Sequence, residues 1–512
     1  MMRDRDRGAN MTASSREPVS RRKASIAMAP DEFRTAGHRL VDLLADFLAR
    51  IPDGPVNRDE QPEALRALLG DDRLPQGGAD ASSLLESAAT LLFEHSLFNA
   101  HPRFFGYITA SPAPIGILGD FLASALNANV GAWRLSPIAT ELESQTIRWL
   151  AELVGMPQGT GGVLVSGGNV ANIVALIAAR RAAADWDVRK VGMSGAGASR
   201  LRVYATQEVH TWLQKAVDVA GLGGDSIHVI PTDQQQRMDA GALAQAIEHD
   251  RAKGERPMMV VATAGTVSTG AIDPLPAIVE LCKKAGVWLH VDGCYGGVAA
   301  CVPDAPADLK ALAHADSLAI DPHKWLYAPL EAGALLVREP GMLRDAFSFN
   351  PTYYHFGQEV TNYFDFGLQN SRGFRALKVW LALRQVGREG YAKMIGDDIR
   401  LSQWLAQQVE AHDELQLFSQ RLSIATFRYV PPELRGQSGA EVDARLNKLN
   451  QDLLDRLQRS GEAFLSNAVV GGRYLLRPCI VNFHTNQADL TALLESVVKL
   501  GRQVDQALRA GA

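Results

Sequence analysis

Lys324 stands in the run Asp321-Pro322-His323-Lys324-Trp325, directly after the short apolar stretch 317–320. A lysine set just past the end of a buried strand loses contact with water, and burial disfavours its ammonium form. A neutral amine in that position condenses with an aldehyde to a Schiff base, the chemistry that anchors pyridoxal phosphate. Taken alone, such a lysine is equally a surface residue closing a turn, so its companions must decide.

The first companion is Asp292, in His290-Val291-Asp292-Gly293-Cys294-Tyr295-Gly296-Gly297 after the apolar stretch 287–289. Pyridoxal phosphate acts as an electron sink only while its pyridine nitrogen is protonated. A carboxylate at a strand's carboxyl end is well placed to keep it so, although an aspartate there also caps strands. Gly293 and the pair Gly296-Gly297 allow close approach of backbone to a ligand. The second companion is Val165-Ser166-Gly167-Gly168-Asn169, which reads as strand, glycine turn and helix start. The N–H groups and positive dipole end of such a helix suit a phosphate. A dinucleotide would use a similar loop, but the spacing is not GxGxxG and no ribose-binding acid follows. The third is His210, at the junction of the strand 202–205 with a helix. A lone histidine there is commonly a helix cap; beside the other pieces it is a ring positioned to stack on the pyridine.

The glycine loop, His210, Asp292 and Lys324, in that order, resemble the group II pyridoxal-phosphate-dependent amino-acid decarboxylases, the family of aromatic-L-amino-acid and glutamate decarboxylases. The Asp-Pro-His-Lys-Trp run is specific to that family, and the similarity extends from about Pro30 to the C-terminus. The resemblance implies that Lys324 carries the cofactor covalently, Asp292 pairs with the pyridine nitrogen and His210 stacks on the ring. It implies further that Gly168 and Asn169 bind the phosphate, with His323 and Asp321 beside it, and that Thr266 lines the cofactor. Val267 replaces a hydroxyl residue common in animal members, and Cys294 replaces a usual alanine.

These residues need a scaffold. Strands at 163–165, 202–205, 227–230, 258–263, 287–291 and 317–320 are near-continuous apolar runs alternating with helical segments, the pattern of a parallel sheet buried on both faces. Ligands of such sheets sit beyond the carboxyl ends of the strands, where the candidate residues fall. The expected fold is α/β, a fold-type I pyridoxal enzyme with a mostly parallel central sheet and flanking helices. Its parts are a disordered tail (1–30), a helical arm (31–100), a large cofactor-binding domain (101–387) and a small α+β domain (388–512), the last with strands at 424–429 and 475–483. Helices at 33–49, 62–69 and 83–95 carry too little mutual core to stand alone. By resemblance they pack on a partner subunit, giving a homodimer with composite active sites.

Two segments are candidates to face the substrate. In 101–133, Phe105 and Tyr107 are aromatic, and Thr109 and Trp133 match family positions lining the substrate side chain; Arg134 beside them favours an acidic substrate instead. The segment 347–370 is polar, aromatic and long for a connection, as lids often are. Tyr353 falls on the tyrosine of the family's mobile catalytic loop, where a phenol returns a proton to Cα.

Composition limits the alternatives. With 512 residues and a net charge of −5, the chain offers no electrostatic footprint for nucleic acid or a membrane surface. No apolar run reaches the length of a span. The basic stretch 1–23 contains acids and lacks amphipathic periodicity, so it reads as a tail rather than a targeting peptide. Cys282, Cys294, Cys301 and Cys479 show no metal spacing and read as reduced core thiols of a cytoplasmic protein. The expected activity is decarboxylation of an L-amino acid, aromatic by preference, to its amine. Alternatives are an acidic or aliphatic substrate, or an aromatic aldehyde synthase on the same scaffold.

Overall fold

The computed structural model describes residues 24–70, 73–195, 199–349 and 360–510. Tyr353 and the stretch 1–23 lie outside the described residues. The chain divides into one unit formed by residues 1–50 and 63–96, and a second formed by 51–62 and 97–512.

The first unit is helical. α1 (Pro30–Arg50) begins at a proline, which needs no N–H partner in a first turn, and gives way to a 3₁₀ turn at Ile51–Asp53, where Pro52 and Gly54 disfavour further helix. α2 (Pro62–Leu69) is followed by α3 (Ala81–His95), whose N-cap Asp80 accepts a hydrogen bond from Ser83 N at 2.9 Å. Phe47 of α1 stacks on Phe93 of α3 with centroids 4.1 Å apart. Only Ala36 of α1 and Ala89 of α3 are buried, and α2 buries nothing. Val41, Leu84, Leu85 and Leu92 remain exposed.

The strands of the second unit, in chain order, are β1 (Phe104–Phe105), β2 (Gly161–Val165), β3 (Leu201–Thr206), β4 (Ile227–Ile230), β5 (Arg256–Thr263), β6 (Trp288–Asp292), β7 (Ser317–Ile320), β8 (Gly333–Val337), β9 (Leu415–Arg421), β10 (Ile424–Tyr429), β11 (Phe464–Val470) and β12 (Arg473–Arg477). Seven form a sheet in the order β2-β8-β7-β6-β5-β3-β4. β4, β3, β5, β6 and β7 are mutually parallel, whereas β8 is antiparallel to both of its neighbours, β2 and β7. β2 therefore runs in the common direction but is not hydrogen-bonded into the parallel ladder that its apolar run suggested. The strand that separates it, β8, was not read from the sequence. β7 and β8 are buried at every residue, as a strand covered on both faces must be.

α4 (Pro114–Leu126), α5 (Pro137–Leu153) and α6 (Gly168–Ala183) follow, with α5 against β2 and α6 lying across β8, β7, β6 and β5. The helix Ala376–Ala411 is interrupted at Gly387, whose φ of 68° and ψ of 171° are not helical. The smaller sheet has the order β1-β11-β12-β10-β9. The strand expected over 475–483 stops at Arg477, because Pro478 has no N–H to extend a ladder. β1 pairs in parallel with β11, so Phe104 and Phe105 belong to the smaller sheet rather than to the cofactor-binding one. Among the described residues no helix is long and apolar enough to cross a membrane.

Candidate active site

β2, β3, β5, β6 and β7 end on the same side, and a cavity of about 270 Å³ opens beyond their carboxyl ends. Lys324, Asp292, His210, Gly168 and Asn169 all line it, with Asp321 and His323. These residues are scattered between positions 168 and 324 of the sequence; the strand ends bring them together.

Lys324 Nζ lies 3.0 Å from Asp321 Oδ2, and Lys324 N donates to Asp321 O at 2.8 Å, so the two share one turn. The expectation that burial strips the proton from Lys324 is corrected here. Burial does push its pKa down, but the carboxylates of Asp321 and Asp292 outweigh it and the net shift is upward. Before a cofactor is bound, the lysine is an ammonium held by Asp321.

Asp292 closes β6. Its Oδ2 accepts from Trp212 Nε1 at 2.8 Å and Asn172 Nδ2 at 3.4 Å, and its Oδ1 from Cys294 N at 3.2 Å. These donors orient the carboxylate and satisfy its charge. His210 is held neutral by burial, which lowers its pKa. Its Nδ1 accepts from Trp212 N at 3.4 Å, leaving the proton on Nε2. His323 is likewise lowered by burial; Ala332 N donates to its Nδ1 at 3.1 Å, and its Nε2 lies 3.7 Å from Asp321 Oδ2.

The glycine turn is sterically required. Gly167 has φ of 156°, and a Cβ on Gly168 would sit 2.4 Å from Cys294 Sγ and 2.8 Å from Asp321 Oδ2. The N-terminus of α6 has no side-chain cap, so its first N–H groups are available to an anion. Asp321 Oδ1 is buried with no hydrogen-bond partner. An uncapped helix start for a phosphate, an oriented carboxylate for a pyridine N–H, a lysine between them and an unsatisfied buried oxygen together fit pyridoxal phosphate.

Other expected residues are placed differently. Thr266 is buried but does not line the cavity; its hydroxyl faces Thr269 Oγ1 at 3.1 Å and accepts from Ala271 N at 3.1 Å, fixing the turn that presents Gly265 and Val267. Phe105 is fully buried in the core of the smaller sheet, which corrects its reading as a substrate contact: its apolar partners lie on that side of β1. Tyr107 is 60% exposed, with its N–H donated to Ser466 Oγ at 2.6 Å. Trp133 donates Nε1 to Glu141 Oε1 at 2.9 Å. Neither these two nor Thr109 lines the cavity of its own chain, where only Ile108 represents the segment. Arg134 is exposed and also stands outside it.

The sequence reading missed Asn172, Trp212, His290 and Glu208. Asn172 carried a usable signal, a polar residue within the apolar run of α6 and 1% exposed. Cys294 is the buried free thiol of the core that was expected and also lines the cavity, and burial raises its pKa well above the usual thiol range.

Residues 62–430 match the pyridoxal-dependent decarboxylase conserved domain. The chain is 32% identical to an aromatic-L-amino-acid decarboxylase of Bacillus atrophaeus, over 94% of this chain and 98% of that one. It is 31% identical to a phenylacetaldehyde synthase of Petunia hybrida, over 89% of this chain and 91% of the relative. Among solved structures, Oryza sativa TDC with PLP and tryptamine superposes with a TM-score of 0.86 at 28% identity, covering 93% of this chain and 99% of that one. The chain belongs to the pyridoxal-dependent decarboxylase family. It is a fold-type I amino-acid decarboxylase, and its cofactor is pyridoxal phosphate.

Proposed function

We propose that the enzyme decarboxylates aromatic L-amino acids to their amines, with Lys324, Asp292 and His210 as the residues that attach, polarise and stack on the cofactor. The observation carrying this reading is the convergence of the three on one cavity at the strand ends. Bound pyridoxal phosphate supplies an aldehyde for the substrate amino group and an electron sink for the bond broken at Cα. Asp292, anchored by Trp212 and Asn172, presents a fixed negative charge to the pyridine nitrogen. His210, neutral, with its proton on Nε2, faces the cavity as a flat ring and donor. His323 and the start of α6 hold the phosphate side, while Asp321 keeps Lys324 beside them.

The lining supports an uncharged side chain. Among the described residues no arginine contributes to the cavity, and Ile108, Val267 and Tyr295 give it apolar surface. A side-chain carboxylate would meet Glu208, Asp292 and Asp321, and among the described lining residues no cation is left free to receive it. The relatives named for aromatic substrates and aldehydes support the same class.

The enzyme works as a homodimer. Leu118, Leu122 and Leu126 lie along one face of α4, and with Leu135 and Ile138 they expose apolar side chains that a monomer leaves in water. The expected site contacts Tyr107, Thr109 and Trp133, absent from their own cavity, are candidates for the partner's. An amine-release and carbon dioxide screen over the standard L-amino acids tests the substrate, with aldehyde assayed in parallel. Activity confined to glutamate or aspartate overturns the reading, and aldehyde as the main product reassigns it to a synthase. Sedimentation of an active, stable monomer removes the dimer.

A further inference from the structure

A directed chain of buried hydrogen bonds ends on Asp292. Trp288 Nε1 donates to Ser317 Oγ at 2.8 Å, and Ser317 Oγ lies 2.8 Å from His290 Nδ1. His290 Nε2 lies 2.6 Å from Asn172 Oδ1, and Asn172 Nδ2 faces Asp292 Oδ2 at 3.4 Å. His290 and Ser317 are 0% exposed, and Asn172 is 1% exposed.

Chemistry fixes the direction from the Asp292 end. Trp288 Nε1 uses only one of the two acceptor sites on Ser317 Oγ, so the Ser317 proton remains available to His290 Nδ1. A carboxylate can only accept, which turns the Asn172 amide nitrogen toward Asp292 and its oxygen toward His290. His290 must therefore carry its proton on Nε2. The opposite tautomer would place the Asn172 oxygen against the Asp292 carboxylate, two acceptors face to face. Burial lowers the His290 pKa to about 4, so the ring stays neutral and keeps one acceptor and one donor.

We propose that His290 and Asn172 are positioning residues for the cofactor's pyridine nitrogen. They fix Asp292 in a single orientation with Oδ2 saturated by Asn172 and Trp212, and leave acceptor capacity on Oδ1, which takes one backbone bond from Cys294 N. This rests on the reading of Asp292 as the partner of that nitrogen. Neither residue touches the reacting bond; both act through Asp292. The titratable groups facing Asp292 are His290 itself, on β6, and His210, Cys294 and Lys324, from the segments after β3, β6 and β7; the variants below leave the last three intact.

The test combines variants with a measurement on the unaltered enzyme. Asn172→Ala and His290→Phe should each raise the dissociation constant for pyridoxal phosphate about tenfold, the scale of a lost hydrogen bond to a charged group. Each should also move the pH midpoint of the bound cofactor's visible absorbance. The double variant should be no worse than the worse single, because both lie on one path, and His290→Gln should recover part of the loss. Nitrogen-15 spectra of histidine-labelled holoenzyme should show His290 neutral with its proton on Nε2, which decides the matter even if a variant does not fold. A proton on Nδ1, losses that multiply, or folded variants with the parent absorbance titration overturn the inference. Asp292→Asn is the control. If it keeps the parent spectrum, the role of Asp292 itself fails; if it alone changes the spectrum, only the role of His290 and Asn172 fails.

Discussion

Lys324 and Asp321 form an ion pair at 3.0 Å inside a single turn, with the carboxylate 3% exposed. The pair is what keeps the lysine charged against the cost of burial. Asp321→Asn removes that charge and lets burial dominate, so the Lys324 pKa falls. The pH midpoint for incorporation of pyridoxal phosphate into apoenzyme should drop by about one pH unit or more. Stopped-flow absorbance across pH reads this directly, and an unchanged midpoint shows that another group governs the lysine.

A second buried pair concerns stability. Arg372 Nη1 donates to Glu143 Oε2 at 3.1 Å, and the guanidinium also reaches Val130 O at 2.9 Å and Leu164 O at 2.6 Å. The side chains are 2% and 0% exposed. Arg372→Leu strands the Glu143 charge and should cost about 3–5 kcal/mol in urea unfolding. Replacing both, Arg372→Met with Glu143→Leu, should recover much of that loss. Equal costs for the single and double variants would show that the backbone contacts of Arg372 matter more than its charge.

Asp398 gives a pH dependence with a definite sign. It accepts from Trp325 Nε1 at 2.8 Å and Tyr327 OH at 2.6 Å, and burial pushes its pKa up to about 7. An unfolded aspartate titrates near about 4. Between those values the folded protein holds a proton that the unfolded chain has released, so this group's stabilisation falls as pH rises toward 7. Urea midpoints from pH 5 to 8 should decline less steeply in Asp398→Asn than in the parent.

Tyr353 belongs to the family's lid by resemblance, and its expected task is to return a proton to Cα once carbon dioxide has left. Tyr353→Phe should retain cofactor and still release carbon dioxide. It should form less amine and divert product to aldehyde, ammonia and peroxide in air. Amine formation at the parent rate without oxygen uptake would assign the proton to another donor, His210 first.

The site was legible where chemistry is written in a contiguous motif. Asp292 and Lys324 follow apolar strands, and the glycine turn follows another, so residue type and strand end together located them. Their partners were not legible in the same way. Trp212, Asn172 and His290 act on Asp292 or on each other across long stretches of sequence, and a tryptophan or histidine beside an apolar run looks like core. Phe105 failed for the converse reason, since an aromatic residue that fills a sheet core and one that lines a cavity have the same local pattern. The charge of Lys324 was misread because burial was visible in the sequence and the 3.0 Å approach of Asp321 was not. β8 escaped because no helix separates it from β7, so its apolar run falls outside the strand–helix alternation by which the other strands were read.

That return strand has a further consequence. β7 and β8 are adjacent and antiparallel, so the segment 321–332 bearing Lys324 leaves and re-enters neighbouring rungs of one ladder. Its ends are tied again by Asp321 N to Cys294 O at 3.2 Å and His323 N to Ala332 O at 3.2 Å. A crossover loop can fray from one end while the sheet stays intact; this one cannot. Freeing Lys324 means breaking these bonds between two adjacent strands, so the bonded amide protons of Asp321, His323, Lys324, Tyr327 and Ala328 should exchange at the slow rate of global opening rather than at the pace of a surface loop. Lys324 thus sits on backbone tied at both ends into one ladder.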